Sequence, residues 1–288
     1  MRRKPKREKK PALIIRLAAR WGYHPGRAMT EVLEWTEVIV VAVGLAVLIM
    51  TTVTVRMHVP TDSMYPTING DPNPWAADSF FVDRITYYFR DPKPGDIVVF
   101  RHTEEVRVGR VIEGSLADAA GVGEGELITG LNAVRVYTRE LAEDELPTWP
   151  TGTTLLLTTY EGGTYNLGQK PDGAATFEDL GIVVKERRTR YVKRLIAIGG
   201  QTVQIVDGDV YVDGERLESA RFDREYYSGD PRFGFGIEPT LVPEDHYFML
   251  GDNSTDSFDS RFWGFVDDRD IIGVPYLRVW PLTRFGLM

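Results

Sequence analysis

The chain has no cysteine, which excludes disulfides, thiol catalysis and cysteine-ligated metals in any compartment. Histidine is scarce too. His24, His58, His102 and His246 are the only four, no two stand at a metal-ligating spacing, and there is no H-E-x-x-H, which argues against a zinc protease. No metal or cofactor is expected. Long apolar runs are missing with one exception, the uncharged stretch "VIVVAVGLAVLIMTTVTV" from Val38 to Val55. The rest is the composition of a folded protein, and 288 residues suffice for one large domain or two ordinary ones.

Charge is distributed unevenly around that stretch. Residues 1–37 hold ten Lys/Arg against four Glu, so a net charge of -8 leaves -14 for the residues after Val55. A basic head, an apolar run and an acidic body form a membrane pattern and argue against nucleic acid as a partner. The run spans about 27 Å as a helix, close to a bilayer's hydrocarbon thickness. It is too long for a cleavable signal sequence and no small-x-small site closes it, so it reads as an uncleaved anchor. "MRRKPKREKK" then keeps residues 1–37 in the cytoplasm, and everything from Arg56 lies across the membrane.

The body is expected to be mainly antiparallel β. Segments such as "GDIVVF", "YVKRLIAI", "QTVQIV", "DVYVDG" and "YLRVW" are rich in Val, Ile and Tyr and broken by Gly, Pro and Asp. Asp207-Gly208 stands where a hairpin needs a tight turn. One block differs. Between Val106 and about Glu186 the chain is more acidic and Gly-rich, with "LADAAGV" reading as a short helix and "ELITGLNAV" as strand, turn and strand. From Gly114 to Leu157 this block resembles a bacterial-type PDZ domain, which implies an α+β module that binds a C-terminal peptide by strand addition. "EDLGIVVKE" is positioned to supply the carboxylate-binding loop from the other end, as in a circular permutation, with Leu180, Gly181 and Ile182 as possible peptide-binding residues.

Hydrolysis without thiols or metals needs another activated nucleophile. A serine needs an adjacent base, and a lysine serves only when burial keeps it neutral. Ser63 follows the apolar run closely, and Lys193 lies in an apolar strand where it and Arg194 point to opposite faces. One side chain can enter a core while the other stays in solvent. By spacing alone, both remain ordinary exposed basic residues.

Four ordered motifs add to this: "PTDSMYPTI", "KPGDIVVF", "YVKRLIAIGG" and "GDNSTDSFDSRFWGFV". Together with the anchor and the final "YLRVWPLTRFGLM", they resemble bacterial signal peptidase I, a membrane-anchored Ser/Lys peptidase of the bacterial cytoplasmic membrane. The resemblance implies Ser63 as nucleophile and Lys193 as general base. It implies the Ser63 N–H and the Thr61 hydroxyl as oxyanion donors, and Ser257 as the residue that orients the lysine. Asp259 and Arg261 match a supporting ion pair, and Met64 a residue packed near the site. It also implies signal peptides of exported preproteins as substrates and membrane lipid as a partner. Asp62, Gly199-Gly200-Gln201 and Ser254 depart from the family pattern, and Asp62 has to face away from the lysine for catalysis to survive.

Ser63 and Lys193 stand 130 residues apart, and the extra length lies between Phe100 and Tyr191. This implies a PDZ-like domain inserted at a loop tip. The expected divisions are a basic N-terminus (1–37), an anchor (38–55), a catalytic domain in two parts (56–102 and 188–288) and the insert (103–187). Rival readings are a Ser/His/Asp triad through His58 or His246, a membrane-tethered PDZ scaffold on an inactive fold, and a self-cleaving repressor.

Overall fold

A computed structural model describes residues 13–22, 25–52, 54–218, 225–230 and 234–288. The basic run 1–10, His24 and Val53 lie outside the described residues. The chain divides into two units, residues 1–55 and 56–288.

In the first unit, α1 (Leu13–Arg20) is followed by α2 (Arg27–Thr52). The Glu37 carboxylate accepts a 2.9 Å hydrogen bond from the Ile14 N–H, a first-turn donor that the helix itself leaves unpaired. The apolar run is not one helix. The helix stops at Thr52, and β-branched Thr54 and Val55 already belong to a strand. Residues 38–52 therefore make about 22 Å of helix, preceded by Glu31, Glu34 and Glu37. Among the described residues no helix is long and apolar enough to cross a membrane.

The second unit is mainly β, and every pairing with a described register is antiparallel. Its main sheet uses β1 (Thr54–His58), β2 (Ser79–Asp83), β3 (Ile97–Val111), β4 (Ile182–Ile198), β5 (His246–Leu250), β6 (Val266–Asp267), β7 (Ile271–Trp280) and β8 (Gly286–Leu287). The order is β1-β2-β7-β3-β4-β5-β6, with β8 beside β7. A second sheet contains the hairpin expected at Asp207-Gly208, where Val206 pairs with Asp209 and both turn residues have positive φ, 51° and 89°. That is the conformation a two-residue hairpin turn requires.

Strands β3 and β4 form a ribbon about 50 Å long, paired from Ile97↔Arg194 to Val111↔Ile182. Its two ends serve different cores. At the near end Val98, Val99, Phe100, Val192 and Leu195 pack with residues of β2, β5 and α5 (Ser260–Trp263 below). At the far end Val106, Val108 and Ile182 belong to a separate core with Ile128, Leu131, Leu155, Leu157, Phe177 and Leu180. Around that far core stand α3 (Leu116–Ala119), α4 (Arg139–Glu145) and a sheet of strands 134–135, 128–131, 154–159 and 163–169. The segments "LADAAGV" and "ELITGLNAV" take the expected forms. Ser115 caps α3 by accepting from the Asp118 N–H, and Leu131 pairs with Val134 across the turn. Helix α5 (Ser260–Trp263) follows the "GDNSTDSFD" loop.

Candidate active site

Ser63 sits in a single 3-10 turn, Asp62–Met64, whose Met64 side chain is fully buried and anchors it in the core. Gly70 closes the loop against this turn, since a Cβ there would fall 1.7 Å from the Thr61 carbonyl oxygen. The loop after β5 grips it from the other side. The Asn253 N–H donates to the Ser63 carbonyl at 3.0 Å, and the Asn253 amide donates to the Asp62 carbonyl at 3.2 Å. Gly251 allows that approach, because a Cβ would lie 2.1 Å from Ser257 Oγ and 2.5 Å from the Ser63 carbonyl.

Lys193 reaches the same point from β4, with its Nζ 2.6 Å from Ser63 Oγ. Both side chains are buried. Burial lowers the Lys193 amine from its usual value to about 8, with Asp259 as the largest opposing influence and Arg261 reinforcing the decrease. The cleft above them is lined by Arg56–Ser63, Arg188–Lys193 and Thr255–Phe258.

The description of the family whose model matches residues 32–280 is "Signal peptidase, peptidase S26". The chain belongs to the signal peptidase family. It is an enzyme of that family, since its relatives are named peptidases along most of its length. A probable signal peptidase I-2 of Synechocystis sp. (strain ATCC 27184 / PCC 6803 / Kazusa) is 27% identical over 89% of this chain and 77% of its own. A signal peptidase I of Mycobacterium tuberculosis (strain ATCC 25618 / H37Rv) is 27% identical over 88% of this chain and 74% of its own. A crystal structure of a signal peptidase I from Enterococcus faecalis V583 is 34% identical over 30% of this chain and 82% of its own, with a TM-score of 0.24.

The other expected site residues of this signal peptidase fall as follows. Thr61 lines the cleft beside Ser63. Asp62 turns away, its carboxylate accepting the Gly70 N–H at 2.9 Å, and the carboxylates that act most on Lys193 are Asp259, Asp252 and Asp256. Ser257 lines the cleft, but its buried hydroxyl has no hydrogen-bond partner among the described residues, Lys193 included. Asp259 and Arg261 form a fully buried pair at 2.8 Å. Arg261 also donates to the Ser254 carbonyl and hydroxyl, so the small serine leaves room for a guanidinium that ties the loop together. His58 is on the cleft wall, while His246 is bonded through Nδ1 to the Glu244 carbonyl.

One expectation is corrected. Arg194 does not stay in solvent. The opposite face of β4 is covered by the turn around Gly95 and the loop after β5, and Arg194 is buried there. It forms a two-pronged pair with Asp252 at 2.7 and 2.6 Å and donates to the Gly95 carbonyl. At Leu180–Ile182, where a peptide-binding loop is expected, the turn is closed on itself in this structure. The Leu180 and Ile182 N–H groups donate to the Phe177 carbonyl and the Gly181 N–H to the Glu178 carbonyl, while the Leu180 and Ile182 side chains fill the far core. The turn satisfies its own backbone, and no N–H of the three is left for a carboxylate.

Sequence reasoning also passed over His102. It is buried beside the cleft, its ring 4.3 Å from Trp263 and 5.0 Å from Tyr191 between centroids. Burial, with Lys193 and Arg188 nearby, holds its imidazole down at about 3. The alternation "VVFRH" was the available signal, since it puts His102 on the face of buried Phe100. Tyr137, far along the chain, packs on Phe258 and Phe262 at 5.3 and 6.3 Å and so reaches the cleft rim.

Proposed function

We propose that this peptidase removes N-terminal signal peptides from exported preproteins after a small-x-small site, with Ser63 as nucleophile and Lys193 as general base. The 2.6 Å approach of Lys193 Nζ to Ser63 Oγ, inside a cleft open to a peptide, carries the reading. The neutral amine takes the hydroxyl proton as Oγ attacks the scissile carbonyl. The resulting ammonium returns the proton to the leaving amine, leaving an acyl ester on Ser63. Water, deprotonated by the same lysine, then hydrolyses the ester. The Ser63 N–H and the Thr61 hydroxyl stabilise the oxyanion. A rotation of the Ser257 hydroxyl toward Lys193 orients the amine. Asp259 and Arg261 fix the loop that carries Ser257, and Met64 fixes the nucleophile's turn.

The same reading takes the apolar part of α2 as the membrane anchor, with the basic N-terminus in the cytoplasm and the body on the exported side of a bacterial membrane. Its support is the charge asymmetry and the side chains of Val38–Val41, Val43, Leu45 and Val47, each more than half exposed around the whole helix. Residues 103–187 are read as an inserted PDZ-like domain. Its support is the separate far core and the pairing of Thr103 with Arg188 across the ribbon. Capture of a C-terminal carboxylate at Leu180–Ile182 requires the 177–182 turn to open first.

The test is cleavage of a purified preprotein, with the cut position read by mass spectrometry. Ser63→Ala and Lys193→Ala are expected to abolish processing, and His58→Ala to leave it intact. Processing that survives Lys193→Ala, or a cut with no small residues before it, overturns the proposal.

A further inference from the structure

Phe258 follows Ser257 directly, lines the cleft and is 36% exposed. Its ring is nevertheless held by other rings. Phe262 of α5 lies 5.1 Å away between centroids, and His102 of β3 lies 6.4 Å away. Both belong to elements of the near domain. Tyr137, at 5.3 Å, comes from the far module.

The chain on either side of Tyr137 fixes where that ring goes. Val136 is buried in the far core, and its N–H donates to the Thr129 carbonyl at 3.1 Å. Thr138 caps α4, its hydroxyl accepting from the Leu141 N–H at 3.4 Å. Between these two anchors Tyr137 leaves the far core and packs, partly buried, against the near one. It meets Phe258 at 69° and Phe262, 6.3 Å away, at 85°. Such edge-on contacts are what the charge distribution of aromatic rings favours.

We propose that Tyr137 is a specificity-determining residue: by holding Phe258 it presents a fixed aromatic wall to the substrate, which selects an apolar side chain close to the cut, at a position other than the two small ones. The inference rests on the proposed peptidase reading. Tyr137 stands behind the cleft wall and acts through Phe258, as a positioning residue. A side chain that has to be immobilised when the substrate arrives takes that cost out of the affinity. A ring already in place does not, and an apolar group laid on it keeps the whole contact. An aromatic contact of this kind changes affinity by about two- to tenfold. The effect falls on KM. The backbone beneath Phe258 is tied separately by the buried Asp259–Arg261 pair, so releasing the ring moves the wall and leaves the approach of Lys193 to Ser63 in place.

The experiment uses the full chain in phospholipid vesicles and short peptides that share one small-x-small site. The reference peptide has serine between the two small residues and at the first three positions after the cut. Each of the others replaces one of those serines with leucine. With the parent enzyme, leucine at one or more of these positions is expected to lower KM by about two- to tenfold relative to the reference. Tyr137→Ala is expected to bring that ratio to about one with kcat held, and Tyr137→Phe to retain it. Phe258→Ala should lose the preference as well, and the double variant Tyr137→Ala/Phe258→Ala should lose no more than either alone. Melting followed by circular dichroism shows that each variant is folded. Should the alanine variant not fold, Tyr137→Leu, which fills the space without an aromatic edge, is expected to shrink the ratio in the same direction. A parent enzyme indifferent to leucine at every position, a preference that survives loss of the Tyr137 ring, or losses that add in the double variant overturn the proposal. Cleavage that survives Ser63→Ala removes the peptidase reading instead, whatever Tyr137 does.

Discussion

At the scale of single residues, the proposed mechanism makes Lys193 the group that sets when the site can work. Its amine is held near 8 by burial, so about a tenth is neutral at pH 7 and about nine tenths at pH 9. The initial rate on a short peptide spanning a cleavage site should therefore rise close to tenfold per pH unit below about 8 and level off above it. A flat profile between pH 6 and 9 contradicts lysine as the base. His102 acts on stability instead. Its folded value is depressed to about 3 against 6.5, so it is neutral in the fold while the unfolded chain takes up a proton below about pH 6.5. That part of the stability is complete above pH 6.5 and is lost as the pH falls toward 3. His102→Phe keeps an aromatic ring among Trp263, Tyr191 and Phe100, and should move the midpoint of acid unfolding to lower pH, read by circular dichroism.

At the scale of elements, strand β4 is held on one face by the Arg194–Asp252 pair while its other face carries Lys193. Removing one partner strands a buried charge. Arg194→Met should cost about 3–5 kcal/mol in denaturant unfolding, and the double replacement Arg194→Met/Asp252→Leu should cost clearly less. The strand nature of this segment and the hairpin at Asp207-Gly208 were legible because alternation and turn residues are local signals. The burial of Arg194 was not, because what covers it comes from the turn at Gly95 and the loop at Asp252, remote in sequence. Ser63 and Lys193 came from the motifs, since 130 residues of separation hide their contact from any local pattern. The closed turn at Phe177–Ile182 was equally hidden. "EDLGIVV" gives its residue types but not the carbonyls its N–H groups choose.

At the scale of the whole molecule, the ribbon makes the far module separable. Thr103 and Arg188 are direct partners across β3 and β4, and partnered residues in an antiparallel pair lie about 5 Å apart. Replacing residues 104–187 with Asn-Gly therefore closes a hairpin without disturbing the near core. The shortened enzyme should remain folded and cleave a short peptide spanning a cleavage site with kcat within a few-fold of the parent, although Phe258 and Phe262 lose the cover of Tyr137. Loss of folding on excision, measured by thermal unfolding, contradicts two independent cores.

The irregularities of the ribbon lie on one strand only. The register skips Glu104 and Gly109 on β3, while Ile182–Arg194 on β4 advance without a skip. An unbroken strand repeats every two residues, so the parity of β4 between Arg188 and Val192 sets which face Lys193 presents. Inserting one residue there turns the amine away from Ser63, and inserting two turns it back. Processing should therefore fail with one added residue and return with two.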